Sequence, residues 1–341
     1  MKVVALFPKT EKNENPNQLL STERALNLPS FLSEAGHELV IISDEKEIEN
    51  HLSDVSVVIS SPFLPAYVTK ERIKRAPQLR LAITAGVGSD HVDLAAAAER
   101  NITVVEVTGS NQLSVAEHTV MSILILLRNF LEGHRQAVGG EWDLPRVGNY
   151  AHDLEGKMVG IFGFGRIGQM VAERLRPFGV NLQHFDPQHE ESLLGSRYVS
   201  FDELIETSDV IDIHAPLTPQ TDGIFNHDIL LRMKKGVYIV NTARGRIMDT
   251  TALVEGLKSG HIAGYSGDVW YPQPAPSDHP WRSIPSSAMT VHYSGMTLEA
   301  QKRIADGVRD ILERFFENRS MRPQDVIVSN GQMSASYRVT V

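Results

Sequence analysis

At 341 residues and 37.8 kDa the chain is long enough for two domains of ordinary size, each with its own apolar core. A formal net charge of -9 and a pI near 5.8 give no electrostatic footprint for nucleic acid, so a small ligand is the expected partner. Zero cysteines exclude disulfides, thiolate metal sites and a cysteine nucleophile.

Residues 2–7 (KVVALF) read as a strand starting straight after the initiator, with neither a secretory apolar region nor an Arg-rich leader ahead of it, and a cytoplasmic location is the expectation. Four more short apolar runs follow at 38–43, 55–60, 80–84 and 102–107, alternating with helical segments. That alternation predicts a parallel sheet with helices on both faces. The apolar stretch 119–127 is closed by Arg128 and Asn129 and falls short of the roughly 20 residues a membrane span needs. It predicts a buried helix over 115–128, with no membrane partner. The strand pattern resumes at 158–163, 181–185, 210–214, 237–241 and 290–293, which predicts a second α/β sheet. A last helix over 298–316 leads to a short polar tail whose expected role is to return to the first sheet. One domain is then discontinuous, residues 1–111 with 294–341, and the other is residues 112–293. No repeat or long charge block suggests a disordered arm.

Gly163-Phe164-Gly165-Arg166-Ile167-Gly168 follows a strand and opens a helix, the context that makes Gly-x-Gly-x-x-Gly a dinucleotide signal. Gly163 permits the tight turn, Gly165 lets backbone approach a pyrophosphate, and Gly168 allows close helix packing, while the helix start at Arg166 and Ile167 offers unpaired N–H groups. The next strand ends at Asp186, 18 residues beyond Gly168, where a carboxylate accepts hydrogen bonds from ribose hydroxyls and repels a 2′-phosphate. NAD is expected over NADP. Pro216 and Thr242 lie in loops just after two strands of the same sheet, where ligands of such sheets bind. The histidines His91, His118, His134, His152 and His279 show no metal-ligand spacing, so no metal is expected.

The segments SPFLPAYVT, TAGVGSDHVDL, SNQLSVAEH, NTARG, GDVWYPQPAPSDHPWR and VHYSGMTLEAQ resemble the NAD-dependent D-2-hydroxyacid dehydrogenase superfamily, and within it the metal-free formate dehydrogenases, over residues 62–301. Arg244, Asp268 and His292 meet the superfamily core; Gln273, Asn111, Pro62 and Phe63 meet the formate branch. The resemblance implies two doubly wound parallel-sheet domains, a Rossmann NAD-binding domain and a flavodoxin-like catalytic domain, in a homodimer with the helix over 115–127 as candidate contact. It further implies that Arg244 and Asn111 hold the formate carboxylate, that His292 and Gln273 complete the polar wall, and that Pro62, Phe63 and Val87 line the site. Asp268, His292, Ser294 and Gly295 would stand beside the nicotinamide. Where the formate branch often has a basic residue after the acidic one, this chain has Pro187.

The chemistry of these residue types agrees. Oxidising an alcohol removes a proton as well as a hydride and needs a base, typically a histidine tuned by a carboxylate. Formate is already deprotonated, so the neutral amide of Gln273 beside a histidine suffices. Arginine presents a planar fork of donors that orients a carboxylate in a way lysine does not. Two other readings stay open: a D-2-hydroxyacid dehydrogenase acting on a larger substrate, and a nucleotide-sensing interaction protein of the same fold.

Overall fold

The computed structural model describes residues 1–7 and 28–334. The chain divides into two units, Met1–Asn111 with Gly295–Val341, and Gln112–Ser294. Ser294, assigned from the sequence to the discontinuous domain, therefore falls in the other one.

In the first unit β1 (Lys2–Leu6), β2 (Glu38–Ile42), β3 (Val55–Ser60), β4 (Leu81–Thr84) and β5 (Thr103–Glu106) run parallel in the order β2-β1-β3-β4-β5. Side chains alternate between the two faces of a strand, so a run buried on both sides must be apolar throughout. Val4, Leu6, Val58, Ala82 and Val104 pack on one side with Ile73 and Ala97. Val3, Ala5, Val57, Ile59, Leu81 and Val105 pack on the other with Val308, Ile311 and Leu312 of the helix Leu298–Phe316. After that helix the tail does return to the sheet, as β13 (Val326–Ser329), antiparallel to β5, followed by β14 (Gln332–Met333).

The second unit holds β6 (Met158–Phe162), β7 (Asn181–Phe185), β8 (Ser196–Tyr198), β9 (Val210–Ile213), β10 (Val237–Asn241), β11 (Ile262–Gly267) and β12 (Ser287–Met289). All are parallel, in the order β12-β11-β10-β9-β6-β7-β8. The order reverses between β6 and β9, the doubly wound arrangement in which ligands bind beyond the strand ends. The helix Gln112–Leu127 is buried on Ala116, Ile123 and Leu127 against Val159, Ile161 and Val240.

The sequence pattern misled at residues 290–293. Thr290, Val291 and Tyr293 favour a strand, but β12 ends at Met289 and His292 adopts a left-handed φ of 60°. The cause is Asp268, 1% exposed, whose carboxylate accepts from the Thr290 hydroxyl at 2.6 Å, the Tyr293 N–H at 3.0 Å and the Ser294 N–H at 2.8 Å. Those bonds wrap the segment around one carboxylate.

Candidate active site

β6 ends where Gly163, at φ 96°, turns the chain toward the helix Arg166–Leu175. A Cβ on Gly163 would lie 2.5 Å from the Ala215 nitrogen, so the glycine loop and the loop after β9 abut at the reversal of strand order. Pro216, next in that second loop, is exposed. Gly165 caps the helix without a side-chain hydrogen bond, which leaves the N–H groups of its first turn available to an anion. Gly168 packs so tightly that a Cβ would meet the Gly163 carbonyl oxygen at 2.4 Å. These are the features a pyrophosphate cradle needs, and the loop fits a dinucleotide.

Asp186 stands at the end of β7 with a second task. Its Oδ2 accepts from the Phe164 N–H at 2.7 Å and its Oδ1 from the Gln188 N–H at 2.7 Å, so it anchors the glycine loop and keeps further lone pairs for a ribose. Beneath that loop the Phe164 ring stacks on His184 at 3.8 Å between centroids. His184 donates from Nε2 to the His189 carbonyl at 3.1 Å, leaving Nδ1 to accept from the Ser196 hydroxyl at 2.9 Å. Burial holds its pKa below the ordinary histidine value, against the pull of the His189 carbonyl and Asp186.

Three neighbouring strands, β10, β11 and β12, deliver the polar residues. β10 ends at Asn241, fully buried, whose Nδ2 donates to the Arg244 carbonyl at 3.0 Å and whose Oδ1 accepts from the Ala243 N–H at 3.0 Å. The turn Asn241-Thr242-Ala243-Arg244 is thereby clamped from both sides, which fixes the backbone of the half-buried Arg244. Thr242 is buried with its hydroxyl 3.2 Å from that of Thr119. β11 delivers Asp268, and the segment after β12 delivers His292, 8% exposed. Left-handed backbone costs a non-glycine residue about 1 to 3 kcal/mol, and here the Asp268 hydrogen bonds offset it. Gln273 Oε1 lies 2.8 Å from His292 Nδ1. His118 packs edge-on against Tyr293 at 5.1 Å, its pKa lowered by burial and raised in part by Asp268.

The first unit carries the apolar set beyond the ends of β3 and β4. Gly86, at φ 141°, is pressed against Pro62 and Phe63: a Cβ there would lie 3.0 Å from Pro62 Cδ and 3.6 Å from Phe63 Cε2. Val87 follows directly, half-buried. Asn111 is 5% exposed, and its Oδ1 has no hydrogen-bond partner among the described residues. Gly295, also buried in this unit, lies against the Asn111 side chain.

Sequence reasoning missed two residues that shape these loops. Asn241 was read only as part of the loop after a strand of the cofactor sheet, with no task of its own. Glu106, 5% exposed at the end of β5, accepts from the Gly88 N–H at 2.8 Å and the Thr108 hydroxyl at 3.3 Å, and so holds the loop carrying Val87. A carboxylate closing an otherwise apolar strand was the available signal. Among the described residues no cluster of His, Asp and Glu could hold a metal ion.

An open helix N-terminus at a switch point, with a carboxylate at the end of the following strand, defines a dinucleotide-dependent enzyme of the doubly wound class. Residues 120–294 match the family model described as D-isomer specific 2-hydroxyacid dehydrogenase, NAD binding domain. The chain is 48% identical over 348 residues to the mitochondrial formate dehydrogenase of Solanum tuberosum, covering 99% of this chain and 91% of that one. It is 43% identical over 352 residues to the formate dehydrogenase of Candida boidinii, covering 97% of each. The crystal structure of NAD-dependent formate dehydrogenase from Staphylococcus aureus in complex with NAD superposes with a TM-score of 0.94 at 64% identity, over 96% of this chain and 99% of that one. This chain belongs to the D-isomer specific 2-hydroxyacid dehydrogenase family, and NAD is its cofactor.

Proposed function

We propose that the protein is an NAD-dependent formate dehydrogenase, which takes a hydride from formate and releases carbon dioxide. The observation that carries the reading is the Gln273–His292 pair at 2.8 Å. An amide in that place leaves the histidine without a carboxylate to make it a strong base, and formate oxidation requires none: the carbon–hydrogen bond breaks with its electron pair, the hydride joins nicotinamide C4, and no proton is left over. The high identity to formate dehydrogenases over nearly the whole chain supports the same activity.

In this reading NAD supplies the hydride acceptor, held by backbone at Gly163, Gly165, Arg166, Ile167 and Gly168, by Asp186 at the ribose, and by Pro216, Thr242, Asp268, His292, Ser294 and Gly295 along its length. Arg244 presents its guanidinium fork to the formate carboxylate, and Asn111 adds a donor without charge. Formate has so few atoms that orientation must come from groups touching both oxygens. Pro62, Phe63 and Val87 provide apolar surface, which favours neutral carbon dioxide over the hydrated anion as the hydride departs. The test is the appearance of NADH absorbance with NAD and formate, against a panel of D-2-hydroxy acids. Turnover of a hydroxy acid in preference to formate would overturn the reading.

The same proposal includes a homodimer working in the cytoplasm. The helix first expected to make the dimer contact is mostly buried inside its own unit, but the segment after it leaves Phe130, Leu131, Val138, Trp142, Leu144 and Tyr150 between 46% and 84% exposed. So much apolar surface in one stretch marks an interaction site. Sedimentation of the purified protein and fractionation of its host cells test the two statements.

A further inference from the structure

We propose that Gly295 is a positioning residue for the substrate site, whose missing side chain is the space in which the Asn111 carboxamide lies. Glycine at this position is not required by the backbone, because Gly295 is absent from the residues at positive φ. The requirement is steric. A Cβ on Gly295 would come within 2.6 Å of Asn111 Nδ2 and 3.1 Å of both its Cβ and Cγ. Below 3.0 Å something must shift, and the atom met first is the far end of the Asn111 side chain, where a shift is cheapest.

The carboxamide also has little to hold it apart from packing. Its Oδ1 is buried with no hydrogen-bond partner among the described residues, and the residue is 5% exposed. An amide fixed by a polar partner would resist a small push, whereas one fixed by shape follows the wall it rests on. Gly295 is that wall. The inference rests on the reading of Asn111 as a donor to formate, and it adds that the aim of the donor is set from residue 295. Pushing the amide back to ordinary van der Waals distance displaces it by about 1 Å, a misplacement that lowers turnover by roughly 100-fold in a well-oriented site.

The experiment is a double-mutant cycle on the full chain with Gly295→Ala and Asn111→Gly, glycine being well tolerated at a residue immediately before a helix. Formate kinetics and NAD binding, the latter by fluorescence titration, are measured for all four proteins. Each single variant is expected to lose roughly 10- to 100-fold in kcat/KM for formate, and the double variant to be no worse than Asn111→Gly alone. Losses that multiply, or a Gly295→Ala protein with parent kinetics beside an impaired Asn111→Gly, overturn the inference and leave the formate site standing. A loss of NAD affinity in Gly295→Ala that accounts for the whole of its loss with formate overturns it as well. If Asn111→Gly itself retains parent kinetics, the reading of Asn111 as a formate ligand fails and the inference falls with it. Should Gly295→Ala not fold, the same cycle is read in thermal stability: relief by Asn111→Gly supports the contact, and no relief overturns it.

Discussion

The Gln273 carboxamide oxygen and the His292 imidazole meet at 2.8 Å through Nδ1. A carboxamide oxygen only accepts, so Nδ1 carries the proton in this pair. Substituting Gln273→Glu places a carboxylate there, favours imidazolium and adds negative charge to a site for an anion. Formate kcat/KM is expected to fall and its pH profile to shift. Superimposable profiles of equal height for parent and variant would show the amide to be structural only.

Arg244→Ala is expected to abolish formate oxidation while NAD still binds, since losing one charged hydrogen-bond partner in a dry site costs roughly 2 to 5 kcal/mol. Asn241→Ala removes both clamps on the turn that presents Arg244. It should raise KM for formate with a smaller effect on NAD affinity. Steady-state kinetics with isothermal titration of NAD separate the two effects, and unaltered kinetics in Asn241→Ala would remove it from the site.

For cofactor choice the informative change is Asp186→Asn, which keeps an acceptor for the Phe164 N–H and removes the charge. The efficiency ratio of NADP to NAD should rise. A ratio that does not move would mean that something other than Asp186 rejects the 2′-phosphate.

Acid should destabilise the second unit through His184. Its pKa is lowered in the folded protein by burial, so between that value and the unfolded pKa of roughly 6.5 the unfolded chain binds more protons than the folded one. Stability is therefore complete above that upper bound and declines as pH falls below it. His184→Gln should melt with a shallower slope across this window, and an unchanged slope would exclude His184 as a contributor.

The parallel strands were legible because strands buried on two faces are written as unbroken apolar runs, as in Val55–Ser60. β8 was too short to read, and β11 was hidden by Gly264 and Gly267 inside it. The segment around His292 was misread because its conformation is dictated by a carboxylate more than twenty positions away, and no local pattern records that. The site divides along the same line. Arg244 was readable from its place after a strand, and Asp268 and Gln273 from the family resemblance. The clamp at Asn241, the support from Glu106 and the fit of Gly295 to Asn111 are contacts between residues far apart or inside one turn, and the sequence carries no periodic trace of them.

The discontinuous first unit also sets an order on how the chain can mature. Val3, Ala5, Val57 and Ile59 lie on a face whose cover includes the helix Leu298–Phe316, and the outer edge of β5 is paired by Val326–Ser329. During synthesis the earlier strands emerge first, yet that face stays incompletely covered and that edge unpaired until residues 298–329 have been made. The second unit, continuous in the chain, has all its strands before then and can fold at once. The five strands made earlier must wait with one face part-bare and one edge open, a form prone to aggregation and to chaperone capture.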